Sequence, residues 1–219
     1  MTFFLDLTFQ IFFGLCYIIR KNLYFDRFYN TLCIILSGYI TMPIRHNIGY
    51  HGTLDIRANA IISQNHFIPS SKDTEWLGEG VYFFAHKQHA IDWATCEAKK
   101  PQNAGEKSCV LSADLNYADS EWLDLDDPAQ LQMLNDFVLA YKERMGTSSI
   151  APSVDLTTHK KYLQWCFVCN LYRRLNPAIR LTSYTFHFKK TFIGLWQNQL
   201  QFCVNDSTVI SNIKKEALL

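Results

Sequence analysis

Gly49-Tyr50-His51-Gly52-Thr53 and Trp76-Leu77-Gly78-Glu79-Gly80-Val81-Tyr82-Phe83-Phe84 decide how this chain is read. The first sits at the end of a strand; the second is a Gly-x-Gly turn running straight into an aromatic strand. His51 brings a hydrogen-bonding ring beside Gly52, whose bare backbone a flat ligand can approach closely. Gly78 and Gly80 permit the tight approach that sets Tyr82 face-on to the same ligand. From Ala85 onward the chain reads as a helix with Ala90, Trp93, Ala94 and Glu97 along one side. Trp93 is thereby placed to close an aromatic sandwich opposite Tyr82.

Two aromatic faces and a His-Gly edge make a slot for a planar, cationic heteroaromatic ring, and nicotinamide on NAD+ is the leading candidate. Each residue taken singly has an ordinary structural reading: a satisfied histidine, core aromatics on a strand, a turn glycine. It is their order and spacing that carry the ligand reading.

Working outward, the texture after Ile44 is that of an α+β domain. Cys109, Leu111, Ala113 and Leu115 recur at every second position, with polar Ser112 and Asp114 between the later ones, the period of a half-buried strand. Asp127-Pro128 offers an N-cap with proline at the first helical position, and Gln130 is spaced to complete a capping box. Leu131, Leu134, Val138 and Tyr141 continue at helical spacing until Gly146 ends the run. Residues 147–158 read as a loop, 160–175 as a helix stopping before Pro177, and 178–188 and 199–205 as strands. The acidic stretch 119–127 reads as a solvated loop.

Composition excludes several classes. A chain of 219 residues supports one good core rather than two large domains. A net charge of +1 rules out a whole-molecule electrostatic footprint for nucleic acid. With 48% hydrophobic and 19% charged residues the chain folds rather than staying disordered. Seven cysteines, an odd number spread along the chain, fit reduced thiols in a cytoplasm better than a secreted disulfide scaffold. Cys166 and Cys169 form a lone CxxC inside a helix; with no second pair at finger-like spacing, buried thiols are the reading and no metal is expected. Phosphate-loop, dinucleotide-fingerprint, HExxH and GxSxG motifs are missing from the sequence.

Residues 1–44 form a separate hydrophobic extension, rich in aromatics, ahead of a domain spanning 45–219. Two uncharged runs, Leu7–Ile19 and Phe28–Ile44, flank Arg20 and Lys21. Both are shorter than the roughly 20 apolar residues of a spanning helix, and the second carries Pro43. Three readings stand together: a helical extension packed on the domain or covered by a partner, a membrane hairpin, and a start of translation at Met42.

The YHGT and GEGVYFF pair, with the Ala-rich helix after it, resembles the ADP-ribosyltransferase superfamily on its poly(ADP-ribose) polymerase-like, diphtheria-toxin-like side. The resemblance covers residues 50–94 closely and the rest by element order. It implies an α+β split β-sandwich: two small, mostly antiparallel sheets with flanking helices and an NAD+ cleft between them. His51 matches the His of the family's H-G-[ST] motif, which contacts the NAD+ ribose, while the glycine backbone meets the nicotinamide amide. Tyr50, Gly52, Thr53 and Gly80 belong to the same cofactor-binding motifs. Tyr82 matches the ring-stacking Tyr, Trp93 stands where a second stacking Tyr is found, and Ala90 replaces a common nicotinamide-binding Ser.

The family's catalytic Glu aligns with Gln201, and this is where the sequence departs. Strand alternation puts Leu200, Phe202 and Val204 on one face and Gln199 and Gln201 on the other. Gln201 can hydrogen-bond a ribose hydroxyl but brings no negative charge to an oxocarbenium-like centre. Glu79 and Glu97 are nearby acids that could substitute. The resemblance implies a cytoplasmic mono-ADP-ribosyltransferase, with His51, Tyr82 and Gln201 in the catalytic positions and a protein or RNA acceptor. Bacterial toxins, including toxin–antitoxin and phage-defence modules, are the setting it resembles, with an antitoxin or chaperone docking on residues 1–44. The alternative is a non-catalytic NAD+- or ADP-ribose-binding module.

Overall fold

The computed structural model describes residues 43–146, 161–190 and 196–216, and the expectations for the N-terminal extension and for the 147–158 loop lie outside them. The chain divides after Met42, with Pro43–Leu219 as one unit.

Strand β1 (Ile44–Leu54) runs antiparallel to β3 (Ser108–Ala118) along its whole length, from Ile44↔Ala118 to Leu54↔Ser108. Helix α1 (Asp55–Gln64) follows β1 directly and ends at Asn65. Asn65 adopts φ 49°, the left-handed conformation that lets its N–H and that of His66 satisfy the last carbonyls, Ile62 O and Ile61 O. Strand β2 (Val81–Phe84) leads into α2 (Lys87–Ala98). After β3 come β4 (Trp122–Asp124), α3 (Pro128–Gly146), α4 (Lys161–Leu175), β5 (Leu181–Lys190), β6 (Trp196–Val204) and β7 (Ile210–Lys215).

At the start of α3, Asp127 accepts the Ala129 N–H, as the sequence reading expects. Gln130 does not close the box: its amide reaches the Asp127 carboxylate and accepts from the Asp124 N–H instead. The acidic stretch is likewise no simple loop, because Leu123 and Leu125 are buried and Trp122–Asp124 pairs in parallel with β5.

The architecture is α+β, with one connected seven-stranded mixed sheet in the order β4-β5-β6-β2-β1-β3-β7. Two separate sheets were the expectation. The halves are instead joined, through a single position, Tyr50↔Phe84, between β1 and β2. Strand β2 pairs with β6 at all four of its positions, from Val81↔Val204 to Phe84↔Gln201, so the narrow junction lies on its β1 side alone. One core spans this narrow junction: Leu111, Ala113 and Leu115 of β3 cluster with Val81 and Phe83 of β2 and with Phe202 and Val204 of β6. Ala58 of α1 packs into the same core. Ala90 of α2 closes a second cluster with Phe84 and Val110, and α3 and α4 cover a third against Leu123, Phe186 and Cys203. No helix among the described residues is long and apolar enough to cross a membrane.

Candidate functional site

Beyond Tyr50↔Phe84, β1 and β2 pair no further, although both chains continue. The gap between them opens into a cavity of about 360 Å³. From β1 it is lined by His51, Gly52 and Thr53, from β2 and the turn before it by Gly80, Val81, Tyr82 and Phe84. Trp93 and Glu97 of α2 and Gln201 of β6 complete the inner wall.

The gap is bridged by a side chain rather than by the ladder. His51 Nδ1 lies 2.8 Å from the Tyr82 carbonyl oxygen. A carbonyl only accepts, so Nδ1 carries the proton and donates. Burial holds the imidazole below its ordinary pKa, an effect the Tyr82 carbonyl partly opposes. The neutral ring therefore keeps Nε2 as an acceptor. Phe67 and Phe83 hold the ring edge-on, with centroids 5.2 Å and 5.9 Å away.

Tyr82 is fixed at its far end. Its hydroxyl donates to Gly78 O at 2.8 Å and accepts from Leu77 N at 2.9 Å, so the turn grips the ring that follows it. Burial raises the phenol pKa well above its ordinary value. The turn is in turn gripped by α4. Arg173 donates to Glu79 O and to Asn170 Oδ1, and Asn170 Oδ1 also accepts the Glu79 N–H at 2.8 Å.

Two glycines owe their place to close packing. A Cβ on Gly52 would sit 2.2 Å from the carbonyl oxygen of Ala90, so this glycine lets α2 lie against β1. A Cβ on Gly80 would meet Val204 O at 2.6 Å, while its own N–H and C=O pair with Ser70 at 3.0 and 2.9 Å. Both still face the cavity, yet the need for glycine comes from the protein's own backbone. Ala90 is fully buried against β1. Trp93 is 54% exposed, tilted on Phe84 and free of ring contact with Tyr82, so the two faces stand apart across the cavity.

Tyr50 does not join the site. Neighbours on a strand point to opposite faces, and Tyr50 packs with the Phe84, Ala90 and Val110 cluster while His51 turns to Phe67 and Phe83. Glu79 also falls outside: its side chain is exposed and its backbone, not its carboxylate, is engaged. Glu97 does line the cavity and is ion-paired with Lys100. Gln201 faces the cavity with its amide donating to Gln199 Oε1 at 2.9 Å, so the two glutamines share a face as the alternation requires.

Arg57, Lys72 and Glu75 also line the cavity and were not foreseen. Arg57 lies in the first turn of α1, a helix that the spacing of Ala58, Ile61 and Ile62 does signal. Lys72 and Glu75 sit in an aperiodic loop brought to the site by the Ser70–Gly80 bridge and by the Cys166 thiol donating to Lys72 O. Cys166 and Cys169 are buried in α4 as expected, the latter thiol pushed up to about 12 by burial.

No family model matches the chain, and no solved structure matches it. An uncharacterized protein of Methanocaldococcus jannaschii is 30% identical over 90 residues, which is 41% of this chain and 40% of that protein. The chain thus matches well under half the length of this relative.

Proposed function

We propose that the chain is a toxin-like mono-ADP-ribosyltransferase that transfers ADP-ribose from NAD+ to an intracellular protein or RNA and releases nicotinamide. One observation carries the reading: a single cavity gathers His51, Gly52, Thr53, Gly80, Tyr82, Trp93 and Gln201, the residues that two distant motifs nominate. The narrow β1–β2 junction and the core shared across it support a split sandwich of the ADP-ribosyltransferase type.

The residues fit NAD+ by their chemistry. Tyr82 and Trp93 supply π faces for a cationic ring. Nε2 of the neutral His51 accepts from a ribose hydroxyl, because Nδ1 is already spent on Tyr82 O. Arg57 and Lys72 suit a diphosphate. The cavity volume falls at the lower end of small-ligand pockets, which suits the nicotinamide ribose half with the rest of the molecule reaching outward. Gln201 hydrogen-bonds without adding charge. On this reading the protein works in the cytoplasm, where NAD+ and its acceptors are found.

A non-catalytic NAD+- or ADP-ribose-binding module is the second reading, favoured by the Gln199–Gln201 hydrogen bond at the position of the family's acid. Calorimetry with NAD+, nicotinamide release by the wild type and by Gln201→Glu, and mass spectrometry of cellular protein and RNA for added ADP-ribose separate the two. Release and an ADP-ribosyl adduct with the wild type establish the enzyme. Binding without either establishes the module, and no binding at all removes both.

A further inference from the structure

Two carboxylates line the cavity, and their surroundings differ. Glu97 is committed to Lys100 on its own helix. Glu75 is half-buried and has no ion-pair partner among the described residues. Its Oε1 accepts from the Ser70 hydroxyl at 2.6 Å. Ser70 is itself laced to Gly80 by two backbone hydrogen bonds, 2.9 and 3.0 Å, only two residues before Tyr82. Oε2 of Glu75 has no hydrogen-bond partner among the described residues. A carboxylate is thus anchored through one oxygen to Ser70, which is itself tied to the residue just before the strand of the ring platform, and its other oxygen has no hydrogen-bond partner among the described residues. This combination is what the Gln201 position lacks.

We propose that Glu75 is the catalytic carboxylate of this site, supplying from the loop before β2 the charge that Gln201 does not. The proposal rests on the ADP-ribosyl-transfer reading. As the bond between C1′ and the nicotinamide nitrogen breaks, its electron pair leaves with the ring, which departs neutral, and positive charge develops over C1′ and O4′. Glu75 stabilises that charge. A lone pair of the acceptor, hydroxyl or amine, then forms the new bond to C1′, and the acceptor's proton passes to Glu75 Oε2.

Glu75→Gln in the full chain is the test, since it keeps the size and can still accept from Ser70. The expected result is a fall in kcat for nicotinamide release of about 10²-fold or more. The Kd for NAD+, read by calorimetry, should change by less than about threefold, because the lost interaction belongs to the transition state. Adding Gln201→Glu to Glu75→Gln should recover about tenfold or more of the lost rate by restoring a charge from the other wall. If Glu75→Gln fails to fold by circular dichroism, Glu75→Asp and Ser70→Ala take its place. Aspartate should retain more activity than the Ser70 variant leaves in a misplaced glutamate. A wild type that binds and cleaves NAD+ while Glu75→Gln turns over within about threefold of it overturns the role of Glu75 and leaves the transfer reading standing. A wild type that binds no NAD+ overturns both.

Discussion

His51 Nδ1 donates to the Tyr82 carbonyl across 2.8 Å, so the two motifs of this chain are tied by a side chain where their strands have ceased to pair. The bond fixes the imidazole tautomer, and with it Nε2 as the acceptor of a ring that lines the cavity.

This geometry has a pH signature. Burial lowers the His51 pKa in the folded state, whereas the unfolded chain titrates near the ordinary value of about 6.5. Between those two values the unfolded chain holds a proton that the folded chain refuses. Stability is therefore full above about pH 6.5 and declines as pH falls through the window. NAD+ affinity should fall on the same side, since a protonated Nε2 no longer accepts and brings like charge toward a cationic ring. Urea midpoints between pH 5 and 8, for wild type and His51→Gln, check this; the variant should lose part of the acid-side decline.

Tyr82→Ala should weaken NAD+ binding by about 1–3 kcal/mol, the scale of a lost aromatic face with its cation–π component. Unchanged affinity in a folded variant would remove the site assignment. Tyr82→Phe keeps the face but strips the partner from the Leu77 N–H and the Gly78 carbonyl. It should therefore cost stability, about 1–3 kcal/mol by denaturant unfolding, more than it costs ligand affinity.

What could be read from the chain follows its punctuation. The Gly-x-Gly turn announces β2, alternation announces β3, and Asp127-Pro128 announces α3. Sidedness was harder. Tyr50 adjoins His51 in sequence, yet β geometry turns it into a different cluster. Glu75 and Arg57 reach the site because Ser70 pairs with Gly80 and because α1 springs from β1, and neither is a local signal. Strand β7, Ile210–Lys215, is short and mostly polar, with only Ile210 and Ile213 apolar, and it exists because β3 offers it an edge.

Gly52→Ala tests why that glycine is there. The added methyl would lie 2.2 Å from Ala90 O, a backbone atom that moves only if α2 shifts off β1. Overpacking of this kind costs about 1–3 kcal/mol or more. The variant should unfold at lower urea and lose NAD+ affinity as Trp93 moves with its helix. An unchanged midpoint would mean that α2 docks more loosely than the packing indicates.

Arg173 extends the site to its support. Arg173 is only 7% exposed, and among the described residues its hydrogen-bond acceptors are Glu79 O, Asn170 Oδ1 and the Cys203 sulfur, none of them a carboxylate. Hydrogen bonds of this kind offset part of the hydration that a buried charge gives up. Here they hold the turn whose backbone grips the Tyr82 hydroxyl. Arg173→Met keeps much of the apolar stem and leaves the Glu79 carbonyl only the weak Cys203 thiol donor, at a cost of about 1–3 kcal/mol, moderated by relief of the buried charge. Arg173→Lys keeps the charge but cannot span both acceptors with a planar fork, so it should not rescue the turn. The diagnostic is a weakened Kd for NAD+ in both variants under conditions where each is fully folded, because a loosened turn lets the Tyr82 ring rotate away. Wild-type affinity in folded Arg173→Met would confine Arg173 to packing α4 on the sheet and detach it from the ring platform.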